Sequence, residues 1–182
     1  MKKIPIILLT VVATLITPRV FASNRILSLD GDGDYVEMAD SEILNDIGSQ
    51  VTMEIWIRPE EYPGHIWIAL IHKTDESAPN WSNRSYALQL HGSGFIELAS
   101  APEGQGQFSL ESPRGLIALD KWYHIAGVVD SKNDLMNIFI NGVEVARQNS
   151  GRNIHISKLP LRIGDSHEGS PNQCSFQGQI DE

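Results

Sequence analysis

The chain has 182 residues, with 14 Lys and Arg against 23 Asp and Glu, a net charge of −9 with neutral histidines. That balance excludes a nucleic-acid partner, which selects basic surfaces, and suits a cation or a neutral ligand better than an acidic polymer. The single cysteine, Cys174, leaves no internal disulfide and no thiolate metal cluster.

Lys2 and Lys3, the apolar run from Ile4 to Ile16 and the small-residue site Val20-Phe21-Ala22 form a secretory signal over residues 1–22, cut before Ser23. The run is shorter than the ~20 residues of a membrane span, so no membrane span is expected. No cysteine stands at the cut to carry a lipid. The expected location is therefore secreted or periplasmic, behind a bacterial-type signal peptide. Loss of Lys2, Lys3 and Arg19 takes the net charge from −9 to −12.

From Ser23 onward helical periodicity is almost absent. Short β-branched and aromatic runs alternate with Gly, Asn, Asp, Ser and Pro, the pattern of one all-β domain. Residues 26–29 and 35–38 are strands joined by Asp30-Gly-Asp-Gly-Asp34. Val51 to Arg58 alternates, with Val51, Met53, Ile55 and Ile57 on one face, and Pro59 ends it. Residues 66–71, 86–90 and 95–99 are further strands. Thr74 to Ser85 is a polar loop, and Ala101 to Gln107 is a glycine-rich turn. Residues 121–130, 135–140 and 143–147 form an antiparallel meander. Its second turn, Asn141-Gly142, is the dipeptide best suited to a type I′ hairpin.

The aspartate run invites a metal. An EF-hand loop that starts at Asp30 needs glycine at its sixth position and glutamate at its twelfth. Tyr35 and Ser41 stand there, so the run is not an EF-hand. Glycosidase chemistry needs two carboxylates about 5–10 Å apart across a cleft. Glu54 and Glu97 each stand alone on their strands, and Asp181 and Glu182, being adjacent, point to opposite faces. The six histidines contain no HExxH or His-x-His pair, and Cys174 with His167 has only spacing in its favour. The chain is therefore expected not to be an enzyme.

Several segments together resemble the laminin-G-like, pentraxin-like group of concanavalin A-like lectin/glucanase domains. They are Leu29-Asp-Gly with Asp34-Tyr-Val-Glu37, and Val51-Thr-Met-Glu-Ile-Trp-Ile-Arg-Pro59. Trp122-Tyr-His-Ile-Ala-Gly-Val-Val-Asp130 with Ile138-Phe-Ile-Asn-Gly142 is the most specific. Leu161-Arg-Ile-Gly164 and Phe176-Gln-Gly-Gln-Ile-Asp-Glu182 resemble the closing segments. The resemblance implies an all-β, antiparallel two-sheet jelly-roll sandwich over residues 23–182. In the family a further strand follows the last segment, so the domain is expected to lack that strand and to be truncated at its C-terminus. Trp56 and Trp122, at the family's strand positions, are expected in the core.

The resemblance also implies a structural Ca²⁺ held by Asp30, Asp32 or Asp34 together with Asp181. By function it implies a secreted binding module for a glycan or cell-surface glycoconjugate. A protein-interaction or adhesion module, or an accessory domain of a longer secreted glycan-active enzyme, is the alternative. Sugar recognition needs an aromatic face beside amides. Trp81, in the polar loop with Asn80 and Asn83, and Trp67, after Tyr62-Pro-Gly-His65, are the candidate platforms.

Overall fold

A computed structural model of the chain describes residues 26–47, 49–62, 67–75, 83–101, 106–150, 154–166 and 174–181. Two six-stranded antiparallel sheets pack face to face. Sheet I runs in the order β1 (Leu27–Asp30), β12 (Gln177–Asp181), β3 (Gln50–Pro59), β8 (Tyr123–Asp130), β9 (Leu135–Ile140), β10 (Val143–Gln148). Sheet II runs β2 (Val36–Met38), β11 (Leu161–Ile163), β4 (Trp67–Asp75), β5 (Asn83–His91), β6 (Phe95–Ser100), β7 (Phe108–Glu111). The four-residue helix α1 (Glu42–Asn45) has Ser41 as its N-cap. This is a jelly-roll sandwich.

The period-2 pattern places the core. Met53, Ile55 and Ile57 of β3 are buried and face Ile68, Leu70, Leu88, Leu90, Ile96 and Leu98 from sheet II in one apolar cluster. Two-fold alternation allows one face of each strand to bury its branched side chains against the other sheet. The sheets approach closely at Gly127, where an added Cβ would lie 3.0 Å from Leu98 Cδ1 and 3.1 Å from Leu88 Cδ1. Glycine there lets the two leucines fill the layer.

Local signals hold with some adjustments. Asn141 and Gly142 have φ of 52° and 77° and join β9 to β10, as a type I′ turn demands. Thr74 to Ser85 is not all loop: β4 extends to Asp75 and β5 begins at Asn83, with these two residues paired. Strand β7 is absent from the sequence reading, because Phe108-Ser-Leu-Glu111 is too short to stand out and forms by pairing with β6.

Trp56 and Trp122 are not in the core; they are 39% and 37% exposed. The reason is the alternation of β3 itself. Ile55 and Ile57 take the inward positions, which leaves Trp56 between them on the outer face of sheet I.

Candidate functional site

The outer face of sheet II carries chemistry in transverse rows, set by register. Trp67 pairs with His91, and His91 with Phe95, which lines three rings across β4, β5 and β6. One step along, Ala69 pairs with Gln89, Gln89 with Glu97, and Glu97 with Glu111. A third row places His72 opposite Ala87, and Ala87 opposite Ala99. Residues two apart share a face, so the three rows lie on one face of the sheet; Ala69, Gln89, Glu97, His72, Ala87 and Ala99 are buried there, and only Trp67, His91 and Glu111 reach solvent.

The aromatic row is a packed corner. Trp67 meets His91 edge-on at a centroid distance of 4.7 Å and Phe95 at 5.9 Å, while His91 stacks on Phe95 at 4.2 Å. The Arg114 guanidinium lies 5.2 Å from the Phe95 ring centre, within cation–π range. Phe95 is buried, Trp67 and His91 are half-buried, and Arg114 is exposed, so the corner is open at its rim. Burial first, and then the Arg114 charge, hold the His91 pKa below its ordinary 6.5, against an upward pull from Glu111. His91 is therefore neutral at pH 7. Its Nδ1 accepts from the Ser93 amide at 2.9 Å, which leaves Nε2 to carry the proton as a donor.

The polar row runs from depth to rim. Gln89 and Glu97 are buried, whereas Glu111 is exposed at the β7 edge. Gln89 Nε2 lies 2.7 Å from His72 Nε2, and His72 Nδ1 lies 3.4 Å from Thr74 Oγ1. A carboxamide that donates to the first imidazole nitrogen leaves the second to donate to the hydroxyl, so the row is internally ordered. Directly opposed residues have Cβ atoms about 5 Å apart. Glu97 and Glu111, each alone on its own strand, thus become a carboxylate pair. Next to the aromatic corner, exposed Glu111 offers an acceptor for hydroxyls, Arg114 and the His91 imidazole N–H offer donors, and Trp67 offers a half-buried ring, whereas Glu97 and Gln89 are buried.

The residues singled out from sequence fall in different places. Trp67 is part of the corner. Asn83 starts β5 at the other end of the β4–β5 hairpin, opposite Asp75, about 26 Å from Trp67 along the strands. Asn80 and Trp81 lie outside the described residues. Trp67 and the Asn80–Asn83 segment are therefore not one site.

The four aspartates do not converge either. Asp30 pairs with Gln177, so Asp181 lies four residues up β12, about 13 Å away. Asp30 Oδ1 accepts from the Asp32 amide at 2.9 Å, and Gly31 and Gly33 have φ of 82° and 86°. The stretch is a side-chain-tied turn. Among the described residues, no group of three or more His, Cys, Asp or Glu side chains is placed to hold a metal ion. Asp30 and Asp181 stand about 13 Å apart along the strand pair, farther than two ligands of one Ca²⁺ can be.

Sequence reading missed His91, Phe95, Gln89, Glu97, Glu111 and Arg114 as a group. Outward polar residues on β5 and β6 were visible, but their neighbours are fixed by cross-strand register, which no local pattern encodes.

Solved structures with the same fold include the CBM40 of Ruminococcus gnavus IT-sialidase bound to α2,3-sialyllactose. It is 16% identical, with a TM-score of 0.59 over 81% of this chain and 86% of that one. Mouse laminin α1 chain domains LG4-5 match at 13% identity and a TM-score of 0.63, over 89% of this chain and 40% of that one. The heptameric SAP-like pentraxin of Limulus polyphemus matches at 16% identity and a TM-score of 0.57, over 86% and 73%. No curated protein sequence matches the chain. The profile of the concanavalin A-like lectin/glucanases superfamily, in its laminin-G form, matches residues 30–182, and the chain belongs to that superfamily.

Proposed function

We propose that the protein is an exported, non-catalytic carbohydrate-binding module that takes a neutral glycan or glycoconjugate at the rim of sheet II formed by Trp67, His91, Glu111 and Arg114. The observation that carries this reading is the open rim at which half-buried Trp67 and His91 stand beside exposed Arg114 and Glu111. A pyranose stacks its C–H face on the Trp67 indole while its hydroxyls donate to the Glu111 carboxylate and accept from Arg114 and His91 Nε2. Similarity to a sialyllactose-bound module supports a glycan ligand. The exposed Glu111 carboxylate at the rim and a net charge of −9 favour a neutral sugar over a sialylated one. Among the described residues, no helix is long and apolar enough to cross a membrane, which is compatible with export.

Titration calorimetry against neutral oligosaccharides of varied linkage, with sialyllactose as the acidic comparison, tests this. The expected result is a neutral ligand whose affinity falls about tenfold in Trp67→Ala, the loss of one stacking contact. No binding anywhere on the panel, or a Trp67→Ala variant that binds as the wild type does, overturns it. Hydrolysis of any panel sugar that Glu97→Gln abolishes would overturn the non-catalytic part and read the glutamate pair as an acid and a nucleophile.

Exposed Trp56 on the outer face of sheet I and exposed Trp122 just before β8 favour a second reading, as a protein-interaction module.

A further inference from the structure

A chain of hydrogen bonds that begins at His91 holds the rim together. His91 Nδ1 accepts from the Ser93 amide at 2.9 Å, the same contact to the second residue on that an aspartate or asparagine makes in an Asx turn. It folds the turn between β5 and β6, where the Gly94 amide donates to His91 O at 2.8 Å and Gly94 has a φ of 70°. That turn carries the segment that follows β7. Ser93 O accepts from the Gly115 amide at 3.1 Å, and Gly94 O accepts from the Ile117 amide at 3.0 Å. Tyr62 Oη closes the far end by donating to Ile117 O at 2.7 Å. The two segments touch without slack, since a Cβ added at Gly94 would lie 2.6 Å from Ile117 O and 3.4 Å from Gly115 Cα. Arg114 precedes Gly115, so its place over the Phe95 ring depends on where Ser93 sits.

The first link needs a lone pair. A neutral imidazole has one acceptor nitrogen, and an imidazolium carries a proton on both. No rotation of the charged ring restores the bond, so the Ser93 amide then meets an N–H where it had an acceptor. The new charge also falls beside Arg114, whose guanidinium shares the Phe95 ring with the imidazole. Among the described residues, two charged groups act on His91 across the rim: Arg114, which opposes its protonation, and Glu111 of β7, which favours it. From β4 and β6 it meets Trp67 and Phe95, which carry no charge. Gln89 on its own strand and Glu97 on β6, two residues along the same face, are buried.

We propose that His91 is the release switch of the glycan rim. When neutral it holds the link from Ser93 to Gly115 and keeps Arg114 in place; when protonated it breaks that link, and Arg114 and the sugar leave together. The inference rests on the glycan reading above and adds its regulation. Binding is then tightest at neutral pH and weakens in mild acid, where ordinary carboxylates are still ionised. By reciprocity, a bound sugar makes His91 harder to protonate.

NMR of the free protein tests the link with no ligand present. Between about pH 8 and about pH 5, the Ser93 and Gly115 amides are expected to shift with the same midpoint as the His91 ring protons. His91→Asn keeps an acceptor within reach of the Ser93 amide, as in an Asx turn, but cannot titrate. It should hold both amides still across that range, with His91→Gln as the second variant if the first folds poorly. Calorimetry with the tightest-binding neutral oligosaccharide of the panel then reads the release. The wild type is expected to lose up to about tenfold in affinity per pH unit below the His91 midpoint, because only the neutral fraction binds. His91→Asn should bind more weakly at neutral pH, without its Nε2 donor, but show no such loss. Amides that ignore the His91 midpoint overturn the proposal whatever the protein binds. An affinity that stays flat in the wild type, or falls equally in His91→Asn, also overturns it and leaves the glycan reading intact. No binding at any pH overturns the glycan reading itself, and the release role with it.

Discussion

His91 sits where two neighbours pull its proton affinity in opposite directions. Burial and Arg114 lower its pKa, and Glu111 raises it. Arg114→Ala is therefore expected to move the His91 titration up, and Glu111→Gln to move it further down, both readable from ring-proton NMR. Because the folded pKa lies below the unfolded 6.5, the unfolded chain takes up this proton first. The associated stability is complete above about pH 6.5 and declines as pH falls below it. Asp40 works in the opposite chemical sense. Its carboxylate accepts from Lys73 Nζ at 2.8 Å and from Asn45 Nδ2 at 2.8 Å, and these bonds hold its pKa below 3.8. Lys73 is fully buried and also donates to Leu159 O at 2.8 Å. Beside this pair, burial and then the Asp40 charge push the Tyr86 phenol up to about 12. An acid with a lowered folded pKa stabilises above its unfolded value and loses that stability as pH falls through the folded one. Asp40→Asn should lower the melting temperature at pH 7, and its gap from the wild type should close as pH drops below 3.8. A gap that persists in acid would mean that the aspartate acts by packing alone.

At the scale of elements, turns fix what the strands can pair with. In the β9–β10 hairpin both turn residues have positive φ, and a Cβ added at Gly142 would meet nothing within 4 Å. The cost of Gly142→Ala is then conformational, roughly 1 kcal/mol, measurable as a small shift in denaturant midpoint with an unchanged slope. The Asp30–Asp34 turn is closed by its own side-chain bond and its glycines. With Asp181 at the far end of β12, calcium is expected to shift the melt by less than about 1 °C relative to EDTA. A large shift that Asp30→Ala removes would show that the turn gathers an ion without Asp181.

Across the whole molecule, stability rests on the contact between the two sheets. Leu98 is fully buried, and its Cδ1 is the nearest atom to the Cβ position of Gly127 on the opposite sheet. Leu98→Ala opens a cavity between layers that neither strand can close by moving alone, so a loss of about 3–5 kcal/mol is expected in chemical denaturation. The same sandwich separates functions. The rim of one outer face presents Trp67, His91 and Glu111, and the other face presents Trp56.

The sequence by itself determined the all-β class and the strands of the β8–β9–β10 meander. Each depends on residues within a few positions of one another: two-fold alternation, glycine where φ must be positive, and an Asn-Gly turn. It also made Trp67 a candidate, because a tryptophan after a Pro-Gly break is conspicuous. What only the tertiary structure decided is which side chains meet. Glu97 and Glu111 are solitary along the chain and opposed across β6 and β7. Asp30 and Asp181 share a strand pair yet sit at opposite ends of it. Trp56, placed in the core by resemblance, lies outside because the isoleucines on either side of it take the inward positions. Side-chain face is a local property with a period of two, whereas strand register is set by long-range pairing, and the site is built from register.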